Sequence, residues 1–453
     1  MGAAVAVAVP AAGTRERLAE FVAGVVAPLA HVRQRENALV YVRGMIEQGG
    51  RKSLQPTLFR LEETPARYES LQQFLADSPW QPDALIRACA ERAAAELGVI
   101  AWVVDDTGIA KQGSQSPGVK RQYSGTLGKI GNCQIAVSLH AVGVRGTLPL
   151  GWALYLPEEW CEDRERRGKA KIPDSVVFQT KPRLAASMVE QAAGWEIPQA
   201  PILTDCAYGD NTAFRGRLAE LELEYVVGVS SQLAVFGPET SFAVPERKGS
   251  TGRPRTVARP DRRPESVRAL AERLPERAWK TLPCRTAAGG EEIEGRFAFV
   301  RVVATHPVRT DCLPPRWEWL IIEWPAGAEA PSDYWLSNLP EAESRERLAR
   351  WRGCAGRSSS ITGSSKASSA STTTKGAATS ASITTARSSP ARTPSSRSNG
   401  STQKPRGRPD TAAGGAAAAA RPALLGRPLP NLPTTSRPTA TPALQPTGVT
   451  KQY

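Results

Sequence analysis

Apolar residues recur at helical spacing through the first hundred positions. Within residues 14–50, Leu18, Phe21, Val22, Val25, Val26 and Leu29 fall among charged neighbours, and within 67–97 the same holds for Leu71, Phe74, Leu75, Leu85, Ile86, Cys89 and Ala93. This pattern predicts a helical N-terminal domain over residues 1–97. The period changes at Val99. Residues 99–104, 134–144, 148–156, 202–205 and 224–229 form short apolar runs that read as strands, with 181–195 and 211–223 as helices between them. The expected class is α/β, with a mixed sheet that includes an antiparallel part. Residues 230–324 hold a Gly-, Pro- and Arg-rich stretch, an amphipathic segment at 267–274 and strand-like runs at 296–303 and 317–324, which predicts a β-rich insertion hung on the main sheet. A strand at 333–340 and a charged helix at 341–352 follow, so the core is expected in two parts, 98–229 and 325–352. Beyond Arg352 the chain turns to Ser, Thr, Ala, Gly and Pro, with no aromatic residue before Tyr453, which predicts a disordered tail over 353–453.

The net charge of +14 suggests a polyanionic partner until its distribution is considered. Residues 353–453 hold 13 Lys and Arg against the single acid Asp410, so the preceding 352 residues retain only +2 of the +14. Nucleic-acid binding by the body must therefore rest on local patches. The seven cysteines form no CxxC pair, and three histidines are too few for a zinc pattern, which fits a reducing cytoplasm. The apolar stretch 3–12 has no basic start and is too short to span a bilayer, so no membrane association is expected.

Two apolar runs end in acids. Ile100-Ala101-Trp102-Val103-Val104 leads into Asp105-Asp106-Thr107-Gly108, and Ala200-Pro201-Ile202-Leu203-Thr204 leads into Asp205. Two buried strands delivering carboxylates to one sheet edge would offer hard oxygen ligands to a divalent metal. Taken singly, each aspartate reads more simply as a turn or helix cap. Other motifs fail: Gly128-Lys129 has Tyr123 where a phosphate-binding loop needs glycine and Ile130 where it needs Ser or Thr, and Ser230-Ser231 lacks the glycines of a nucleophile elbow. His31, His140 and His306 are scattered and read as structural or surface residues.

The stretch from Asp105 through Lys111-Gln112-Gly113, Lys120-Arg121-Gln122-Tyr123-Ser124-Gly125-Thr126-Leu127-Gly128-Lys129 and Asn132-Cys133-Gln134 resembles the DDE transposases of bacterial insertion sequences. Gly50-Arg51-Lys52-Ser53, Thr204-Asp205-Cys206-Ala207-Tyr208-Gly209 and Tyr334-Trp335-Leu336-Ser337-Asn338-Leu339-Pro340 agree with that family in order, and the resemblance covers residues 35–352. It implies an RNase H-like fold whose Asp, Asp and Glu bind two metal ions, Mg²⁺ or Mn²⁺, for DNA cleavage and strand transfer. Asp105 would be the first acid, because Thr107 completes the Asp-x-[Ser/Thr] pattern, with Asp106 as the alternative; Asp205 would be the second. Lys111, Lys120, Arg121 and Lys129 are implied phosphate contacts, and tryptophans of the insertion either stack on an extruded base or pack the core. The implied partners are double-stranded DNA, as terminal inverted repeats and target, and a second copy on paired ends, in the cytoplasm at the nucleoid.

The family's third acid belongs on the helix after Leu339, in an Arg-Trp-x-x-Glu context. Arg350-Trp351 is present, yet no Asp or Glu occurs between Glu346 and Asp410. Read from the last base of the Ser358 codon with suitable synonymous codons, the next residues become Glu-Gln-His-Tyr-Arg-Glu-Leu-Lys-Gly, a family-like helix. A frameshift near residues 351–358 is therefore expected, with impaired catalysis as its consequence. Two other readings are a catalytically dead DNA-binding remnant and a different RNase H-like nuclease.

Overall fold

The computed structural model describes residues 13–46, 53–61, 63–244, 246, 258–285, 292–305 and 316–351; the expected tail, the frameshifted segment, His306 and residues 50–52 of the glycine-arginine-lysine motif lie outside them. Five helices come first: α1 (Thr14–Val25), α2 (Val32–Ile46), α3 (Leu54–Arg60), α4 (Pro65–Ala76) and α5 (Pro82–Leu97). The long periodic stretches are thus broken into shorter helices, with Pro65 and Pro82 in the first turns of α4 and α5, where a missing N–H costs nothing. Val22, Val26, Leu29, Ala38, Val40, Leu58, Leu71 and Phe74 close a separate small core in this region. In contrast, α5 places Ala90 and Ala94 against the main sheet, then ends at Gly98 with φ 62° and turns directly into the first strand.

The central strands are β1 (Val99–Ala110), β2 (Lys120–Ser124), β3 (Lys129–Gly143) and β4 (Gly146–Tyr155). Two short helices, α6 (Glu158–Glu162) and α7 (Arg164–Ala170), precede α8 (Lys181–Ala193), β5 (Ile202–Thr204), α9 (Cys206–Gly209), α10 (Thr212–Glu220) and β6 (Tyr225–Gly228). The region expected as an insertion supplies β7 (Ala234–Phe236), β8 (Phe242–Ala243), β9 (Arg259–Pro260), β10 (Glu265–Ser266), α11 (Val267–Glu272), β11 (Trp279–Arg285), β12 (Glu292–Ala304) and β13 (Glu318–Trp324). The described chain closes with β14 (Asp333–Ser337) and α12 (Arg345–Arg350).

Twelve strands join one mixed sheet in the order β10-β7-β12-β13-β14-β6-β5-β1-β3-β2, with β4 also on β3 and β11 also on β12. Its centre matches the RNase H-like expectation: β1, β3 and β4 are antiparallel, and β5 and β6 continue parallel to β1. Of the insertion's strands, β7 and β10 to β13 extend this same sheet through β14, which pairs with β6, while β8 and β9 pair only with each other. Both faces are covered, so the central strands are apolar at consecutive positions. On one face Trp102, Val104, Ile202, Tyr225 and Val227 pack against Ala185, Met188, Val189 and Ala192 of α8. On the other, Ala101, Val103, Leu203, Val226 and Trp335 pack with Leu348 and Ala349 of α12. These are called below the α8 face and the α12 face.

One expectation is corrected. The strand that was to end at Val104 continues to Ala110, because β3 hydrogen-bonds alongside it from Val99↔Gly143 to Ala110↔Cys133. Asp105 and Asp106 are therefore interior to β1 and are not its end. The packing expected of the insertion's tryptophans is seen at three of them. Trp319 is buried with its Nε1–H donating to the Pro340 carbonyl at 3.0 Å, and Trp279 and Trp324 hold the Arg296 guanidinium 5.3 and 4.5 Å from their ring centres. Among the described residues no helix is long and apolar enough to cross a membrane.

His140 on β3 is a buried imidazole edge-on to Trp152, and its Nε2 finds no partner. Burial lowers it from 6.5 to about 4. The unfolded chain therefore binds a proton that the fold refuses between those values, so His140 contributes stability above pH 6.5 that is lost as pH falls to 4. The contribution is about 3 kcal/mol at most. Denaturant unfolding at pH 7 and pH 4.5 should show a smaller loss in His140→Phe than in the native chain; equal losses would contradict this.

Candidate active site

The placement of the acids starts from strand register. β1 and β5 run parallel, with Trp102 opposite Ile202 and Val103 opposite Leu203. Asp105 and Asp205 lie two residues further along each strand, and Asp205 keeps an extended backbone, so the register sets the two side by side across neighbouring strands about 4.8 Å apart. Alternation also fixes the face of Asp105. Ala101 and Val103 belong to the α12 face, and a two-residue step carries that face to Asp105, whereas Asp205 lies just past the last residue of β5, where its carboxylate turns to cap α9. Asp106, one residue on, falls with Trp102 and Val104 on the α8 face. There its Oδ2 accepts from the Lys181 Nζ at 2.7 Å, at the first turn of α8. The two candidates for the first acid thus have different surroundings: Asp106 is ion-paired to a lysine and its carboxylate acts on that of Asp205, whereas Asp105 falls on the opposite face.

Asp205 begins α9, its Oδ1 accepting from the Ala207 N–H at 3.0 Å. Solvent reaches this carboxylate at the sheet rim. The protein mass beneath it and then the Asp106 carboxylate nevertheless raise its carboxyl above the usual aspartate value, outweighing the Ala207 and Tyr208 amides and Lys181. Beside it the Tyr208 hydroxyl is buried and has no hydrogen-bond partner; burial, then Asp106, Asp205 and Asp105, hold the phenol far above its ordinary range, so it stays protonated. Thr107, on β1, has a buried hydroxyl that is likewise unpartnered. Hard oxygen donors on rigid strands, a carboxyl raised by a negative neighbour and two orphaned hydroxyls fit a divalent cation. Among the described residues, however, no group of three His, Cys, Asp or Glu side chains is placed to hold one.

Three of the four basic residues, Lys120, Arg121 and Lys129, share one hairpin, and Lys111 follows the end of β1. β2 and the start of β3 form a hairpin, pairing Lys120↔Cys133 through Ser124↔Lys129. This hairpin folds back over β1: the Gly108 N–H donates to the Thr126 Oγ1 at 3.1 Å, and a Cβ on Gly108 would come 1.8 Å from the Ser124 Oγ. Only glycine admits that approach. The tip carrying Lys129 is thereby returned to within two residues of Asp106 along β1. Arg121 and Lys129 are exposed, whereas Lys120 is ion-paired to Glu159, which raises its ammonium above the ordinary range. Lys111 is half-buried, and its carbonyl accepts from the Asn132 Nδ2 at 3.0 Å.

Sequence reasoning missed the residues that hold the acids in place. Lys181 lies 75 positions from Asp106, and only the helix-start signal Thr180-Lys181-Pro182 hinted that a cation stood at a helix N-terminus. The α9 turn is fixed by Arg215, whose Nη1 donates to the Gly209 carbonyl and whose Nε lies 3.5 Å from the Glu318 Oε1 on β13. The Tyr225 hydroxyl donates to the same carboxylate oxygen at 2.6 Å. All three side chains are buried. Asn338, part of the Tyr334 to Pro340 motif, receives the Tyr225 N–H at 2.7 Å and donates to the Leu223 carbonyl at 2.9 Å, which fixes β6 beside the approach to α12.

A family model described as DDE superfamily endonuclease matches residues 25–289, more than half of the chain and a span that includes both aspartate-bearing strands and the hairpin. The chain is also 31% identical over 166 residues to a probable transposase for insertion sequence element IS701 of Microchaete diplosiphon. That match covers 36% of this chain and 41% of the relative, less than half the length of each.

Removing one member of the buried Arg215–Glu318 pair strands the other charge. Arg215→Met should cost about 3–5 kcal/mol, and Arg215→Met combined with Glu318→Leu should recover much of that. Denaturant unfolding of the two single variants and the double variant checks the coupling; additive losses would show that the pair acts independently.

Proposed function

The chain belongs to the DDE superfamily of endonucleases, and from that premise we propose that it is an insertion-sequence transposase whose Asp105 and Asp205 hold the catalytic metal. The observation that carries this is the parallel β1–β5 register, which supports the reading by bringing the backbones of Asp105 and Asp205 level on neighbouring strands. Family members generally depend on a divalent metal, and Mg²⁺ or Mn²⁺ suits this all-oxygen donor set. Such a metal, when bound, activates an attacking hydroxyl and stabilises the leaving oxygen of a phosphodiester. The chain's own residues supply the rest. Lys181 compensates Asp106 and lowers the negative charge beside the incoming phosphate. Arg121 and Lys129 offer charge to the DNA backbone, with Lys111 and Lys120 flanking them. Terminal repeats and target DNA are the substrates, and two copies act on paired ends.

The third carboxylate is the weak link. In the family reading it follows Arg350-Trp351, where this sequence has no acid before Asp410. A frameshift accounts for this, so the chain as written is a transposase with an impaired site that still binds DNA. Residues that act as one constellation fail together, and loss of one ligand removes most of the rate.

The gene sequence across codons 345–390 tests the frameshift directly: stops in the shifted frame, or no helix with the glutamate, would refute it. Nicking of a plasmid carrying the element ends, with Mg²⁺ or Mn²⁺, then tests the site. The frame-restored chain should cleave at least about 1,000-fold faster than this one. In that background Asp105→Asn and Asp205→Asn should abolish cleavage, while Asp106→Asn retains activity within about tenfold. Activity surviving Asp105→Asn but not Asp106→Asn would reverse the assignment.

Metal binding itself has a second readout. Because its pKa is raised, Asp205 contributes stability at pH values below the aspartate range that is lost as pH rises through its folded value. At neutral pH its ionised form is therefore strained, and a cation relieves that strain. Mn²⁺ should raise the melting temperature at pH 7.5, progressively less towards pH 4.5, and not in Asp205→Asn. A shift that persists in Asp205→Asn would place the metal elsewhere.

A further inference from the structure

The outer surface of the β2–β3 hairpin is left unexplained by the fold. Tyr123 and Ile130 oppose each other directly across its two strands, and they are 64% and 59% exposed. Their neighbours in sequence turn the other way: Ser124 is buried against Gly108, and the Gln122 Nε2 donates to the Cys133 carbonyl at 3.1 Å. Alternation puts Arg121, which is exposed, on the outer face with Tyr123. A tyrosine and an isoleucine side by side in water, beside a free-standing cation, make a contact surface in search of a partner.

The charge around this pair identifies the partner's chemistry. Residues 107–157 contain no Asp or Glu, but five basic residues: Lys111, Lys120, Arg121, Lys129 and Arg145. In a body that is otherwise almost neutral, a run of 51 residues without an acid complements a polyanion rather than a protein surface of mixed sign. The apolar pair needs in addition a partner with apolar surface between its charges. Base and sugar edges between the phosphates of a duplex provide both. The hairpin tip is tied to Gly108, so the partner would lie beside the acids on β1.

We propose that the outer face of the β2–β3 hairpin is a DNA-gripping surface next to the cleavage site, in which Tyr123 and Ile130 press on base and sugar edges of the duplex and Arg121 holds a flanking phosphate. The proposal rests on the DNA-cleaving reading given above and adds to it a base contact by uncharged residues. That contact has a distinct signature, because an apolar contact releases no counterions whereas each phosphate contact does.

The test is a salt-series titration of the full chain against a fluorescein-labelled 30-base-pair mixed-sequence duplex. The Tyr123→Ser and Ile130→Ser double variant should lose at least about fivefold in affinity at every salt concentration, with an unchanged salt slope. Tyr123→Phe should bind as the native chain does, and Arg121→Gln should lower the slope by about one. Both apolar positions are exposed, so an unchanged melting temperature will show that the variants fold. An affinity within twofold of the native chain, or a loss that vanishes at high salt, overturns the proposal. Plasmid cleavage by the frame-restored chain separates the two ideas: cleavage with an indifferent double variant sinks the base contact alone, and base-dependent binding without cleavage sinks the catalytic reading alone.

Discussion

The parallel pairing of β1 with β5 is the constraint on which the candidate site depends. Its register, Trp102 with Ile202 and Val103 with Leu203, is held by burial on both faces, since a slip of one residue would exchange every side chain between the α8 and α12 faces. Trp102 makes such a slip especially costly, because it is fully buried and its Nε1–H donates to the Pro198 carbonyl at 3.2 Å. The two apolar cores therefore do more than stabilise the sheet. They decide which face of the sheet each of the two consecutive aspartates of β1 takes.

That central register would be of little use if α9 or α12 could drift. Close packing fixes α9, where a Cβ on Gly209 would sit 1.9 Å from the Gly228 carbonyl oxygen of β6. The buried network of Arg215, Glu318 and Tyr225 ties the same turn to β13, a strand contributed by the region between β6 and α12. Asn338 and the Trp319 bond to Pro340 then set the path into α12. The inserted strands thus act as a brace between the acid-bearing turn and the helix that faces it, and the sheet is continuous because that brace is made of strand pairing.

Much of this was legible in the residues. The period change at Val99, the apolar runs and the acids that follow them placed the strands and named Asp105 and Asp205. Residues whose partners are distant in sequence were not legible: Lys181 was silent because ion pairing with Asp106 depends on where α8 lands, and Glu318 gave no sign of being buried. The length of β1 was underestimated because Thr107-Gly108 reads as a turn when its neighbour β3 is unknown. The fold-back of the hairpin onto Gly108 was equally hidden, since a glycine in a strand signals a close approach without saying what approaches.

By itself, the sequence determined the α/β class, the charge carried by residues 353–453 and the lack of an acid between Glu346 and Asp410, because each of these is a matter of local pattern or count. The tertiary structure alone decided that Asp105 and Asp205 lie level on neighbouring strands, that Asp106 is taken by Lys181, and that the basic hairpin returns to the acids. Those outcomes depend on strand register, side-chain alternation and the docking of α8, which come into being only when segments far apart in the chain pack together.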